Sequence, residues 1–212
     1  MNNTQTKVIN RRVELLSTRG ITVMALLSAI SVVLMLFEIP LWFAPYFYKL
    51  DFSEIPVLIG AFTLGPVAGI VIELMKNLLY LALRGTQSVF IGELANFLLG
   101  CALVVPSAII YHKGRTKISA INGLIVGTIA FTIAGCLLNA YLLLPTYASV
   151  FHMPIAGLVQ IGTEVNPNIK NLTTFIIYAV APFNLLKGTV VSIITILLYK
   201  RVSYIIKGYH TN

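Results

Sequence analysis

The sequence predicts an all-α membrane protein with six transmembrane helices and both termini in the cytoplasm. Two observations lead to this fold class, the apolar composition and the distribution of positive charges. Of the 212 residues, 58% are hydrophobic and 10% are charged, and the mean hydropathy is +0.89. In soluble globular domains, charged residues make up about 25% of the chain. We therefore expect one integral membrane domain over residues 1–212, embedded in the lipid bilayer.

The number of spans depends on the apolar stretch between Glu54 and Arg84, which Gly65-Pro66 interrupts. If this stretch is one helix, there are five spans and the Lys and Arg residues divide evenly between the two sides. If it is two helices, ten basic residues lie on one side and three on the other, namely Lys49, Arg84 and Lys170. Since cytoplasmic loops are enriched in Lys and Arg, the charge count favours six spans.

A helix break at Gly65-Pro66 is also physically reasonable. Proline has no amide hydrogen, and the residue before it avoids the helical conformation. The predicted spans are 21–38, 54–64, 66–83, 93–111, 119–141 and 172–199. The second is too short to cross a bilayer alone, because a span needs about 20 residues. We expect neighbouring helices to shelter it.

Three connections, residues 39–53, 84–92 and 142–171, then face outward. The first and the last are long, so we expect structured caps rather than tight turns. The first is rich in aromatic residues, and two interpretations of them stay open. They form an interfacial belt at headgroup depth, or they contact a ligand. The residues are Trp42, Phe43, Tyr46, Phe47 and Tyr48.

Several kinds of chemistry have no matching motif. The chain has no G-x-x-x-x-G-K-[ST] motif for ATP hydrolysis and no H-E-x-x-H motif. The histidines are dispersed, so no metal site is expected, and Cys101 and Cys136 both lie in apolar spans, so no disulfide is expected. The net charge of +8 is spread over short loops, which gives no surface for nucleic acid. Enzymatic activity is therefore the weaker hypothesis.

Charged residues inside the predicted spans are the best indication of a site, because they are costly in lipid and usually face a cavity. Glu73 and Lys76 are three residues apart on a helix and are expected to neutralise each other. Lys187 has no acidic residue within one helical turn, but Asn184 lies three residues before it. Asn139 lies near the outer end of the fifth span.

Asn139, Asn184 and Lys187 together predict a polar lining for a planar ligand with imide or carbonyl edges. A helix over 172–199 would be roughly 42 Å long, which exceeds the ~30 Å hydrocarbon core, so we expect the site to open outward. The structural alternative is that the asparagines join helices and that Lys187 pairs with Glu73 or Glu93.

Four groups of motifs, in order along the chain from Ile21 to Arg201, resemble a known family. They are similar to the riboflavin-specific substrate-binding (S) component of bacterial energy-coupling factor (ECF) transporters. The motifs are Leu50-Asp51-Phe52-Ser53-Glu54-Ile55-Pro56; Gly65-Pro66-Val67-Ala68-Gly69 with Lys76-Asn77-Leu78-Leu79; Gly92-Glu93-Leu94-Ala95-Asn96-Phe97; and Pro182-Phe183-Asn184-Leu185-Leu186-Lys187-Gly188.

The resemblance implies a six-helix protein of the bacterial cytoplasmic membrane that captures riboflavin from outside. It also implies docking on a module of one transmembrane coupling protein and two ATPases, which agrees with the missing ATP-binding motif. Riboflavin would be the transported ligand and no cofactor is expected; whether flavin mononucleotide also binds stays open. The flavin contacts implied are Asn139, Asn184 and Lys187, with support around Leu50.

Two alternatives to this function remain at the level of sequence. The chain would be an S component for another vitamin, or a small membrane-embedded enzyme or assembly subunit. The resemblance also implies a docking motif for the coupling module, formed by Ala25 and Ala29 on the first helix. Small residues at this i, i+4 spacing allow helices to approach closely. The alternative for this pair is internal packing, which is the role expected for Gly65/Gly69 and Gly123/Gly127.

Overall fold

The computed structural model describes residues 17–45, 47–86, 89–150, 152 and 154–207, with the backbone alone for residues 200–207. This part of the chain is mainly helical. The helices are α1 (Thr18–Leu36), α2 (Glu54–Leu64), α3 (Pro66–Arg84), α4 (Ile91–Gly114), α5 (Lys117–Leu138), α6 (Leu144–Val150), α7 (Ile155–Val165), α8 (Leu172–Phe175) and α9 (Ala181–Lys207).

The connection after α1 contains a short hairpin that the all-α prediction missed. Its strands are β1 (Ile39–Pro40) and β2 (Lys49–Leu50), which pair antiparallel with Ile39 opposite Leu50. Strands of two residues leave no apolar alternation in the sequence, so periodicity cannot predict them. The hairpin brings the segment after β2 back over the helical bundle.

Among the described residues, five helices are long and apolar enough to cross a membrane. Two of them continue through a π turn: one combines α5 with α6, and the other combines α8 with most of α9. The five are Thr18–Leu36, Pro66–Arg84, Ile91–Gly114, Lys117–Val150 and Leu172–Tyr199. With 11 residues, α2 is shorter than the roughly 20 residues that a span requires.

A break at Gly65 separates α2 from α3, as the charge count favours. Gly65 has φ +117°, a conformation that glycine adopts without strain, and Pro66 is the first residue of α3. The short α2 lies inside the bundle, where Val57, Leu58 and Phe62 are fully buried. The neighbouring helices therefore shelter it, as expected from its length.

The connection after residue 141, which was predicted to be a structured cap, is largely helical. The fifth helix passes through a π-helical turn at Asn139–Leu143 and continues as α6 to Val150, and α7 follows. The π turn lies shortly before Pro145, which cannot donate to the preceding turn, and the helix continues past it. A second π turn, Ile176–Val180, joins α8 to α9.

Glycines determine how closely α4 and α5 pack. A Cβ at Gly123 would lie 2.5 Å from the carbonyl oxygen of Ser107, and one at Gly127 would lie 2.4 Å from that of Leu103. The hydroxyl of Ser107 donates to the carbonyl of Gly123 at 3.0 Å. Gly123 and Gly127 therefore have the packing role expected for them.

Candidate functional site

A cavity of about 750 Å³ lies where the three predicted outward-facing connections meet. Residues of the hairpin, of the α3–α4 connection and of α6 and α7 surround it, together with the ends of α3, α4, α5 and α9. Its size is within the range of small-molecule sites, about 300–1,000 Å³. The polar lining residues are Glu38, Lys49, Asp51, Glu54, Tyr80, Arg84, Glu93, Asn96, Asn139, Asn184 and Lys187.

Asn139 lines the cavity from the first residue of the α5 π turn. Its Nδ2 donates to the carbonyl of Gly135 at 2.8 Å, and its Oδ1 accepts the hydroxyl hydrogen of Tyr48 at 2.5 Å. Tyr48 comes from the hairpin, so this bond joins the hairpin to α5. Single π turns occur frequently at functional sites because they change the direction of side chains within a helix.

Asn184 lies on α9, four residues after the end of the second π turn. Its Nδ2 donates to the carbonyl of Val180 at 3.0 Å. Gly135 of α5 makes the space for this side chain, because a Cβ there would lie 2.4 Å from Asn184 Nδ2. The two predicted asparagines therefore meet at one glycine, and each uses its amide nitrogen to bond its own helix.

Lys187, the third predicted residue, is held by an aspartate of the hairpin segment. Its Nζ lies 2.6 Å from Oδ2 of Asp51, and both residues are buried. The backbone amide and the hydroxyl of Ser53 donate to the other oxygen, Oδ1, at 2.9 and 2.5 Å. The suggestion that Glu73 or Glu93 pairs with Lys187 is therefore wrong.

Asp51 was not among the predicted site residues, because 136 residues separate it from Lys187. Burial alone would raise the pKa of its carboxyl. The ammonium groups of Lys187 and Lys76 outweigh burial, and with the hydrogen bonds from Lys187 and Ser53 they lower that pKa from 3.8 to about 2. Asp51 is thus ionised at neutral pH and keeps Lys187 in place.

A second buried cluster surrounds Lys76. Its Nζ lies 2.7 Å from Oε1 of Glu73, which confirms the predicted pair, and 2.6 Å from Oε1 of Glu54, which the sequence analysis did not include. Lys76 also donates to the hydroxyl of Ser53 at 3.4 Å. Because Ser53 also binds Asp51, the Lys76 cluster is connected to the Asp51–Lys187 pair at the cavity wall.

A third cluster lies at the outer rim of the cavity. Glu38 accepts a charged hydrogen bond from Lys49 at 2.6 Å and lies 3.5 Å from Arg84. The hydroxyl of Tyr80 donates to Glu38 at 3.1 Å. The side chains of Lys49 and Arg84 are 43% and 42% exposed, so this cluster is in contact with solvent.

The structure separates the aromatic residues of the first connection. Phe47 and Tyr48 line the cavity, whereas Trp42 does not line it and is 91% exposed. The Tyr48 ring lies 5.2 Å from that of Phe183, centroid to centroid. Burial raises the pKa of the Tyr48 hydroxyl, so this group remains a hydrogen-bond donor. Phe47 and Tyr48 are thus placed for contact with a ligand in the cavity, and Trp42 is not.

The remaining predicted residues lie away from the cavity surface. Leu50 is buried in β2 and is not one of the lining residues, although its neighbours Lys49 and Asp51 are. Ala25 and Ala29 are exposed on the outer face of α1, while the hydroxyl of Ser28 donates inward to the carbonyl of Met24 at 2.8 Å. Internal packing therefore does not account for this alanine pair.

A family model, similar proteins and a solved structure all point to one family. The family described as ECF transporter, substrate-specific component, matches residues 19–199. Riboflavin transporter RibU of Staphylococcus aureus (strain TCH60) is 38% identical over 198 residues, which are 93% of this chain and 97% of the relative. Riboflavin transporter FmnP of Bacillus subtilis (strain 168) is 31% identical, covering 87% of this chain and 92% of the relative.

A solved structure supports the fold as well. It is described as the S component of a bacterial ECF transporter, and it superposes with a TM-score of 0.68 at 36% sequence identity. The match covers 88% of this chain and 96% of the other. The helical arrangement described above is therefore an S-component fold.

Proposed function

The chain belongs to the family of ECF transporter substrate-specific components, and from this premise we propose that it is the riboflavin-binding subunit of a vitamin importer. The family consists of transport subunits, so the chain is a multi-pass membrane protein and not an enzyme. Riboflavin is the transported ligand and not a cofactor. The names of the relatives from Staphylococcus aureus and Bacillus subtilis support this choice of vitamin.

The observation that carries the proposal is the convergence of Asn139, Asn184 and Lys187 on one cavity lined by aromatic rings. An isoalloxazine ring has an imide edge that pairs with amides and a flat face that packs on Tyr48 and Phe183. Its ribityl hydroxyls need several polar partners. The side chains of the rim cluster supply such partners at the other end of the cavity. A phosphate in place of the terminal hydroxyl, as in flavin mononucleotide, would meet Lys49 and Arg84 there.

The membrane topology follows from combining the charge count with the position of the cavity. We place both termini in the cytoplasm of a bacterial cell and count α2 as a sixth, sheltered span. The hairpin and the α3–α4 connection then lie outside, so riboflavin enters the cavity from the extracellular side. Transport to the inside requires an ECF coupling protein and two ATPase subunits, since the chain has no ATP-binding motif.

Flavin recovery tests the ligand assignment. We expect protein purified in mild detergent to release riboflavin, identified by chromatography and fluorescence. The apo-protein should quench riboflavin fluorescence on titration and should not respond to other vitamins. Recovery of a different vitamin would support the rival S component. A protein that binds no vitamin at any concentration would support the enzyme or assembly-subunit alternative.

A separate experiment tests docking through Ala25 and Ala29. Their exposure on α1 agrees with a surface that another helix approaches closely. The double variant Ala25→Leu/Ala29→Leu should bind riboflavin normally but lose uptake and co-purification with the coupling protein. Ala82→Leu, an exposed alanine on α3, is the matched control and should retain both. Parallel loss of binding and uptake in the double variant would contradict docking.

A further inference from the structure

A cluster of buried oxygen atoms lies between α2, α3 and α4. Lys76 is its cation and donates to Oε1 of Glu54 and to Oε1 of Glu73. The side-chain amide of Asn77 donates to the same Glu73 oxygen at 2.9 Å. A Cβ at Gly100 would lie 2.3 Å from Cδ of Glu73, so the carboxyl of Glu73 packs directly against the backbone of α4.

The cluster has more acceptors than donors. Within the described part of the chain, three of its buried oxygens have no hydrogen-bond partner: Glu54 Oε2, Glu73 Oε2 and Asn77 Oδ1. Buried polar atoms are normally satisfied, so three unpaired acceptors in one cluster indicate a missing donor.

The cluster also has an excess of negative charge. The side chains of Glu54, Glu73 and Lys76 are between 0% and 3% exposed, and two carboxylates face one ammonium. Asp51 does not change this balance, because Lys187 neutralises it. An uncompensated charge inside a membrane-embedded bundle is costly.

We propose that this cluster is a proton-binding site in which Oε2 of Glu73 carries the proton. One proton removes the excess charge and at the same time supplies an O–H donor to an unpaired oxygen of the cluster. The described residues contain no group of three His, Cys, Asp or Glu side chains able to hold a metal ion. A proton therefore fits the site better than a metal cation does.

The surroundings assign the proton to Glu73 and not to Glu54. Glu54 lies in the first turn of α2, where the positive end of the helix dipole stabilises a carboxylate, and it lines the cavity. Glu73 lies in the middle of α3 and its side chain is fully buried. The surroundings therefore stabilise the carboxylate of Glu73 less than that of Glu54.

The ionisable groups near Glu73 come from three helices and the segment after β2. Glu54 of α2 is the neighbouring acid, and Lys76 of α3 is the neighbouring cation. Cys101 of α4 follows Gly100, and Asp51 lies beyond Ser53. On α1, the one ionisable side chain is Arg19, which is exposed in the first turn. Among the described residues, Lys76 is thus the cation that pairs with Glu73.

Infrared spectroscopy of the full-length protein in detergent tests the proposal without any ligand, so its outcome is independent of riboflavin binding. We expect a carbonyl stretching band of a protonated carboxylic acid at neutral pH, which Glu73→Gln removes. Glu54→Gln should weaken the band, because it removes the excess negative charge, whereas the control variant Glu38→Gln, at the partly exposed rim, should keep it. Absence of the band from the wild type, or its persistence in Glu73→Gln, would overturn the proposal.

Thermal unfolding gives a second readout, which also covers a Glu73→Gln variant that folds poorly. Because the folded state holds a proton that the unfolded chain releases, wild-type stability should fall as pH rises. The melting temperature of Glu73→Gln should depend less on pH. If Glu73→Gln does not fold, loss of the wild-type band on alkaline titration replaces the comparison. Both measurements are repeated with Na⁺ replaced by choline. If the melting temperature or the carbonyl band depends on Na⁺, the cluster binds a cation and the proton proposal is refuted.

Discussion

The two ionic clusters on either side of the cavity have opposite compositions. In the inner cluster, one lysine, Lys76, lies between two acids, and its side chains are at most 3% exposed. In the outer cluster, one acid, Glu38, lies between Lys49 and Arg84, and the exposed fractions are 22% to 43%. Similar contact distances therefore occur in very different dielectric surroundings.

The difference determines what each cluster can contribute. Exposed ion pairs are weak and screened by salt, whereas removing one member of a buried pair leaves an uncompensated charge. The hairpin connects both regions, because Glu38 precedes it, Lys49 lies in β2 and Asp51 follows it. We infer that the buried contacts fix the hairpin over the bundle and that the outer cluster only adjusts the rim of the cavity.

The largest effect should come from the centre of the inner cluster. Lys76→Met leaves the carboxyls of Glu54 and Glu73 without their cation, at an expected cost of about 3–5 kcal/mol of unfolding free energy. Thermal unfolding in detergent measures this loss. Adding Glu54→Gln to Lys76→Met should recover part of it, because the remaining negative charge is then removed. A single variant that melts like the wild type would contradict the structural role of Lys76.

The next effect separates ligand binding from structure at Lys187. Lys187→Ala should weaken riboflavin binding by roughly 5- to 150-fold, since a desolvated acceptor of the ligand loses its donor. Asn184→Ala should behave similarly, and the double variant should deviate from additivity because both residues contact one ligand. Fluorescence titration of each variant gives the affinities.

Variants of Asp51, the ion-pair partner of Lys187, are the control for this prediction. Asp51→Asn should lower stability, and Lys187→Met/Asp51→Asn should restore stability without restoring affinity.

Because the pKa of Asp51 is about 2 in the folded state and 3.8 ordinarily, the stabilisation that its carboxylate provides is complete above about pH 4. It is lost as the pH falls towards 2, and Asp51→Asn should lack this acid-dependent part. Normal affinity in Lys187→Ala would remove Lys187 from the binding site.

The sequence predicted those features that depend on composition or on neighbouring residues. The break at Gly65 followed from a glycine, a proline and a charge count, and the Glu73–Lys76 pair followed from spacing along one helix. Asn139, Asn184 and Lys187 were identified because polar side chains are costly in lipid, and the structure brings them to one cavity. The family was recognisable from four motifs in order along the chain.

The features that the sequence did not reveal depend on contacts between distant segments. Asp51 looked like an ordinary loop residue, and nothing local indicates that it meets Lys187. The two π turns have no sequence pattern of their own, so the helix through Asn139 was predicted to end too early. Gly135 was not distinguished from other helical glycines, although it makes the space for Asn184.

An intermediate effect is expected at Gly135. Gly135→Ala would place a Cβ 2.4 Å from Nδ2 of Asn184, so the amide must move and riboflavin affinity should fall by about tenfold. In an Asn184→Ala background the same substitution should cost little, because the clashing atoms are absent. Fluorescence titration of the four proteins tests this. Equal losses in both backgrounds would indicate that Gly135 acts on helix packing and not through Asn184.

The smallest effect is expected at the outer cluster. Lys49 is 43% exposed and Glu38 retains Arg84 and Tyr80 as neighbours, so Lys49→Ala should alter stability by less than about 1 kcal/mol. Riboflavin is uncharged, and its affinity should change by less than about fivefold at low salt. This change should disappear at high salt, because salt screens the exposed ion pair between Lys49 and Glu38.

The matched comparison is the buried Asp51–Lys187 pair. The loss of affinity caused by Lys187→Ala should persist at high salt. If Lys49→Ala instead caused a large, salt-independent loss, the outer cluster would be a fixed part of the binding site, and the contrast between the two clusters would not hold.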